Sequence, residues 1–325
     1  MLSRVADSIY WMSRYVERAE NVARFIEVNL NLMLDSRSDM SQQWLPLVYT
    51  TGDHEDFEKR YEAKTQENVI RFLVTDQENP NSVISCVRAA RENARSVREI
   101  ISSEMWIQLN TFYLMLNAIS ENQHSLEHPS EFVGRVRQGS HLFAGTTDAT
   151  MSHGEAWHFG RLGRMLERAD KTSRILDVKY YILLRSVEDV GTPFDDIQWA
   201  ALLRSASAFE MYRKKHGRIE PKGVVEFLML DKEFPRAVLS CLSSAQASLH
   251  AISGTPLGAF RHPAEKSLGL LCSELSYAGV EDILKVGLHE YVDGLQSQIN
   301  EVGAGIFETF FAFKTPEQSQ TASRR

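Results

Sequence analysis

Two short segments carry the residues best suited to chemistry. Residues 14–28 read RYVERAENVARFIEV and residues 164–178 read RMLERADKTSRILDV. Each sets an arginine three residues before a Glu-Arg pair and a further arginine six residues after it: Arg14, Glu17, Arg18 and Arg24, then Arg164, Glu167, Arg168 and Arg174. A carboxylate among guanidiniums has three uses. It can form a bidentate ion pair, it can help hold an anionic ligand or partner, or, when burial raises its pKa, it can act as a general base. A merely solvated face would accept Lys for Arg and Asp for Glu; a planar guanidinium in a bidentate pair does not accept Lys. Here the same Arg, Glu, Arg and Arg stand in both segments while their neighbours differ.

Helical geometry places these groups together. At about 100° per residue, Trp11, Met12, Val16, Ala19, Val22, Ala23, Ile26, Leu30 and Met33 form an apolar stripe. Tyr10, Arg14, Glu17, Arg18, Asn21 and Arg24 fall opposite. In the second segment Phe159, Leu162, Leu166, Ala169, Leu176, Tyr180 and Leu183 face the core, and Arg164, Glu167, Arg168, Lys171 and Arg174 face away from it. Three readings of the charged face stay open: a buried ion network where helices pack, a surface for anionic groups, and a solvated face laced with ion pairs.

The two segments belong to a longer repeat. Six of their fifteen positions are identical, against about one by chance. Residues 72–90 and 227–245 match at nine of nineteen, including Asp76/Asp231, Glu78/Glu233, Pro80/Pro235 and Cys86/Cys241. The offset is 150 for the first block and 155 for the second; Trp44 and Trp199 share the second, so five residues are inserted before Trp199, near Gly191-Thr192-Pro193. The expected architecture is therefore all-α: a helical bundle of two diverged tandem copies, 1–143 and 144–313, with a disordered polar tail over 314–325. Helices are expected near 3–35, 41–51, 54–75, 81–103, 105–123, 129–143, 152–186, 195–215, 222–230, 235–253, 263–279 and 281–313. In the FLxxDxExP pattern a helix ends near the Asp, and Pro opens the next one.

A second cluster follows Pro80. Arg88, Arg91, Arg95 and Arg98 are spaced to line one helix face, followed by Trp106 and Asn110. They are candidates for contact with an anion or acidic partner, or for pairing with acids of other helices. The corresponding run in the second copy, SSAQASLHAI, lacks them. The loop Gly145-Thr146-Thr147-Asp148 is a weak candidate for an anion-binding nest of backbone N–H groups.

The remaining composition narrows the classes. The net charge of −7 over 325 residues argues against a general nucleic-acid binder. Cys86, Cys241 and Cys272 form no CxxC pair; Cys86 and Cys241 read as core residues, and a reducing cytoplasm is the expected location. No stretch is apolar enough to span a bilayer, and the N-terminus reads as neither signal peptide nor anchor. Phosphate-loop, dinucleotide and serine-hydrolase motifs do not occur. The pairs Glu121/His124 and Glu155/His158 have spacing found in di-iron bundles, but they do not fall at equivalent repeat positions. No metal and no cofactor is expected; His153, Trp157 and His158 read as capping or packing.

Taken together, RYVERAENVAR, RENARSVREIISSEMWIQLN and GEAWHFGRLGRMLERADKTSRILDVKYYILL resemble the alpha-E family, bacterial all-helical proteins named for a Glu-Arg pair, from about Leu2 to about Phe313. That resemblance implies an association with a circularly permuted ATP-grasp protein, often with transglutaminase-like and proteasome-like hydrolases, in a system that makes or processes amide bonds. It supplies no catalytic residues. Two functions are compatible with it: an accessory module binding the ATP-grasp partner or its acidic peptide substrate, and a stand-alone enzyme using the glutamates as bases in an Arg-lined cleft.

Overall fold

The computed structural model describes residues 1–35, 44–121, 129–183 and 193–312, and among these the chain is α-helical with no strand. The first two-thirds of its order is α1 (Ser3–Asp35), α2 (Leu45–Thr51), α3 (His54–Arg60), α4 (Gln66–Val74), α5 (Val83–Ser96), α6 (Ser103–Glu121), α7 (Pro129–Thr150), α8 (Glu155–Leu183) and α9 (Pro193–Ser205). There follow α10 (Phe209–His216), α11 (Pro221–Leu230), α12 (Val238–Ser253), α13 (Pro263–Tyr277), α14 (Val280–Val286) and α15 (Leu288–Ile306), which runs into a π-helical turn at Phe307–Phe311. No helix among the described residues is long and apolar enough to cross a membrane.

Helix α1 contains neither Gly nor Pro, so nothing interrupts it for 33 residues. It packs against α8, and the two are the axis of the molecule. Around α1 lie α5, α7 and α9; around α8 lie α12, α15 and α2. One contiguous apolar cluster joins both ends of the chain, from Ile9, Phe25, Trp44 and Phe72 to Phe159, Leu176, Trp199 and Phe227. The close approach of α1 and α8 depends on small residues. A Cβ on Gly163 would lie 2.5 Å from the Tyr10 carbonyl oxygen, and one on Gly160 would lie 3.0 Å from Ser13 Oγ.

Several expected boundaries move, each for a local reason. The helix expected over 54–75 breaks after Arg60, because Thr65 caps a new helix at the Asn68 amide and the Asn68 side chain donates to the Ala63 carbonyl. The one expected over 81–103 stops at Ser96, leaving Arg98 in the turn beyond it. The one over 195–215 breaks at Ser207, whose φ is 51°, and the one over 281–313 breaks at Gly287, whose φ is 107°. In both FLxxDxExP turns the aspartate organises the backbone: Asp76 accepts from the Glu78 amide and Asp231 from those of Glu233 and Phe234. Pro80 and Pro235 sit just ahead of the N-caps Ser82 and Ala237 rather than inside the first turn.

The expected loop at Gly145–Asp148 is instead the last part of α7. The Thr147 and Thr150 hydroxyls donate back to the carbonyls of Phe143 and Thr146, four residues earlier on the same helix. The backbone amides of Gly145–Asp148 are those of a helix interior, so no anion nest exists there. The 41–43 stretch, the Gly191-Thr192 insertion, His124 and the 314–325 tail lie outside the described residues.

Two glycine substitutions test this packing in opposite directions. Gly163→Ala forces α1 and α8 apart and is expected to lose about 1–3 kcal/mol of stability. Gly145→Ala, with nothing within 4 Å of its Cβ position, is expected to gain about 0.5–1 kcal/mol as a helix-interior replacement. Denaturant midpoints of the two variants measure both; destabilisation by Gly145→Ala would contradict the helical assignment.

Candidate functional site

The charged faces of α1 and α8 meet each other. The Glu167 carboxylate accepts Arg18 Nε at 2.7 Å on Oε1, and Arg18 Nη2 at 3.1 Å and Arg14 Nε at 2.8 Å on Oε2. Reciprocally, Arg168 reaches Glu17 with Nε at 2.9 Å and Nη2 at 2.7 Å. Each Glu-Arg pair therefore exchanges partners with the other, bidentate in both directions, and both glutamates are buried (1% and 0% exposed). The two faces that the helical wheel sets away from the core pack against each other, with both glutamates sealed from water and the arginines partly exposed.

A second tier extends the network. Arg24 grips Glu20 at 2.7 and 2.9 Å and donates to the Ser205 carbonyl at 2.8 Å, at the end of α9. Arg174 grips Asp170 at 3.1 Å and donates to the Thr50 carbonyl at 3.1 Å, near the end of α2. The two sides then differ. Beside Glu17 stand Asn21 and Arg236; Arg236 pairs with Glu17 at 3.2 Å and also with Glu20, which accepts Ser140 Oγ at 2.5 Å as well. Beside Glu167 stand Lys171 and Asn81: Lys171 pairs with Asp170 at 2.8 Å, and Asn81 links Arg18 to Asp53 at 2.9 Å on each side.

Electrostatics follow from this packing. Burial pushes Glu167 up, but Arg18, Arg14 and Lys171 outweigh it and hold the carboxyl well below its ordinary value. Burial likewise opposes Arg168 and Arg236 at Glu17, which stays lowered. Burial, with Arg168 and Arg24 adding to it, pulls Arg236 down to about 10. Arg164 is the exception. It forms no hydrogen bond or ion pair among the described residues, and its Nε is sealed from solvent without a partner. Burial, then Arg168, lowers its pKa. Its place beside Glu17 has been taken by Arg236.

On the Glu167 side the network opens to solvent. A cleft of about 600 Å³ is lined by Arg14, Arg18, Lys171 and Arg174, with Asp53, Asp170, Asn81 and Asn300 among them. On the Glu17 side only a small cavity lies beside Arg161 and Arg164.

The other arginine cluster lies apart, on α5 and α6, and none of its members lines either cavity. Arg88 bonds Gln77 at 3.0 Å; Arg91 bonds Asn110 at 2.8 Å and Glu92 at 2.8 Å; Arg95 approaches Glu92 at 3.4 Å. Trp106 lies between two guanidiniums, Arg98 at 4.7 Å and Arg91 at 5.5 Å from its ring centre. Only three of these arginines share the helix, since Arg98 lies beyond its end. Ile107 and Leu114 stand exposed on the adjacent face of α6.

Among the described residues no cluster of His, Cys, Asp or Glu is arranged to hold a metal. Glu155 pairs with the N-terminal amine, and His153 stacks on Trp157 at 4.2 Å. All three cysteines are free and buried, with the Cys86 and Cys241 thiols pushed by burial up to about 12.

Sequence patterns alone missed Arg236, Glu20 and Ser140. The signal for Arg236 was present: it aligns with Asn81 directly after the matching Pro80/Pro235, a cation where the first block has a neutral side chain.

The model of a family described as a predicted alpha-helical domain with a conserved ER motif matches residues 1–311. The chain belongs to the Alpha-E family. The chain carries two Glu-Arg pairs, Glu17-Arg18 and Glu167-Arg168. Uncharacterised proteins of Mycobacterium bovis and of two strains of Mycobacterium tuberculosis are each 22% identical over 321 residues, covering 93% of this chain and 35% of the relative. The Alpha-E chain thus spans about a third of the length of these curated relatives. No solved structure matches it.

The ion network makes stability depend on pH. Glu17 and Glu167 have lowered folded-state pKa values, so their contribution is fully present above the unfolded value of 4.5 and is lost as pH falls through the folded values. Urea midpoints are expected to drop steeply below about pH 4.5. The slope should be shallower in Glu167→Gln, which should itself cost about 3–5 kcal/mol at neutral pH by stranding two guanidiniums. Equal slopes in the two proteins would contradict the assignment.

Proposed function

We propose that this chain is a non-catalytic binding module serving an ATP-grasp-linked system of amide-bond synthesis or processing, and that it holds an acidic substrate segment or partner through its arginines. The observation that carries the reading is the open cleft beside Glu167, where four cations line one wall system against two carboxylates. Cations already fixed by Glu167 and Asp170 are pre-organised donors, so an incoming carboxylate orders little on binding. In the mycobacterial relatives the matching region is about a third of a longer chain, as suits a module. The ATP-grasp association itself rests on the family resemblance. Transglutaminase-like proteins are secondary candidates on the same ground, and buried free thiols suit a reducing cytoplasm.

The alternative, a stand-alone enzyme with Glu17 or Glu167 as general base, needs a carboxylate with a raised pKa and a free lone pair. Both are instead saturated by guanidiniums and lowered, which speaks against that role.

The same reading includes an origin by duplication. Arg24 donating to Ser205 and Arg174 donating to Thr50 are related by the offsets of the repeat, as are the Cys86–Pro80 and Cys241–Pro235 contacts. We take the two halves to be diverged copies, one cleft of the pair having been closed by Arg236.

The α5–α6 face, with Arg88, Arg91, Arg95 and Trp106 beside exposed Ile107 and Leu114, combines the residue types that dominate protein interfaces. Affinity purification of the tagged chain from native cells is expected to bring down an ATP-grasp protein, and Arg88→Glu/Arg95→Glu, which touches only exposed arginines, should lose it. Failure of any ATP-grasp protein to accompany the native chain would overturn the proposal.

A further inference from the structure

The cationic cleft does not end at Arg14. A second groove of about 620 Å³ begins there, lined by Tyr10, Trp11, Ile299, Gly303, Phe307 and Phe311, and it shares Arg14 and Asn300 with the cleft. The two halves differ in chemistry. The first is walled by Arg14, Arg18, Lys171 and Arg174. The second is aromatic and aliphatic, and Phe307 is 52% exposed there.

Arg14 is the hinge between them. Its guanidinium lies over the Trp11 ring at 4.7 Å and the Tyr10 ring at 5.5 Å, while its N–H groups are held by Glu167 and the Tyr10 hydroxyl. The aromatic wall is completed by the π-helical turn Phe307–Phe311, which sets Phe311 against Tyr10 at 5.3 Å and Phe307 against Phe311 at 6.4 Å. Such turns insert a residue into a helix and recur at binding sites. Gly303 leaves the floor beside Arg14 open: the nearest atom to a Cβ there would be Arg14 Nη1, at 3.9 Å.

We infer that the joined cleft and groove bind a peptide segment in which a side-chain carboxylate neighbours an aromatic or large aliphatic residue, the carboxylate lodging against Lys171 and Arg174 and the apolar side chain against Tyr10, Trp11 and Phe307. This rests on the proposed binding function and narrows its ligand. Charge complementarity selects the acidic residue, and removal of apolar surface from water selects its neighbour. The contiguity of the two lobes at Arg14 and Asn300 requires the two side chains to be close in sequence. A free inorganic anion would use only the cationic half.

The test is isothermal titration of the full chain with two synthetic peptides, acetyl-Phe-Glu-Glu and acetyl-Gly-Glu-Glu. The phenylalanine peptide should bind about tenfold more tightly. Gly303→Met fills the apolar lobe and improves helix propensity in α15, so the variant should fold. It should abolish the difference between the peptides. Lys171→Met should weaken both peptides at least tenfold, with a melting temperature showing that the fold is kept. Equal binding of the two peptides, insensitive to Gly303→Met, would overturn this inference and leave the cationic binding reading standing. No binding of either peptide would overturn both.

Discussion

The molecule depends on one constraint: two carboxylates, Glu17 and Glu167, are taken out of water at the centre of an α-helical protein, and each must be neutralised by the opposite helix. An isolated charge at such depth is prohibitive, and a pair is tolerable only with bidentate geometry and its remaining lone pairs satisfied. The crossed arrangement meets both conditions, since Arg18 forks onto Glu167 and Arg168 forks onto Glu17. It also sets register. Sliding α8 by one turn along α1 would strand both glutamates and drive Gly163 away from the Tyr10 carbonyl it accommodates. A wholly apolar α1–α8 interface would bury similar area but tolerate several registers.

The two sides of the axis differ in what stands beside the glutamates. Where Asn81 stands, Arg18 is tied outward to Asp53 and a cleft remains. Where Arg236 stands, a guanidinium reaches Glu17 and Glu20, and Arg164 Nε is buried without a partner. The same saturation that stabilises the fold holds both glutamates ionised, with their carboxyls below the ordinary value.

Much of this was legible in the sequence, and the part that was not has a physical reason. Uninterrupted periodicity fixed the long helices α1 and α8 within a few residues, because 3.6-residue spacing reports on each helix alone. The same wheel assigned Glu17, Arg18, Glu167 and Arg168 to a face away from the core. It could not say what covered that face, because the partner lies about 150 residues distant. Retention of arginine in both segments was the better guide for Arg18 and Arg168, which fork onto the opposite glutamates, although the retained Arg164 makes no such pair. The breaks at Thr65, Ser207 and Gly287 depend on side-chain caps and positive φ that periodicity does not register. Gly145–Asp148 misled because Gly and Thr signal a turn, whereas here the threonines bond back to the helix they extend. Arg88, Arg91 and Arg95 fell on one helix as spacing required, but their partners are Gln77, Asn110 and Glu92 rather than acids of distant helices.

The central claim is that each Glu-Arg pair is energetically coupled to its counterpart across the α1–α8 seam. A double-mutant cycle on Arg18→Met and Glu167→Gln, read by denaturant unfolding, measures that coupling directly. The crossed-pair account predicts that the double variant is less destabilised than the sum of the singles by about 1–3 kcal/mol, because either single change strands a buried partner. Additive effects, with a coupling near zero, would contradict it.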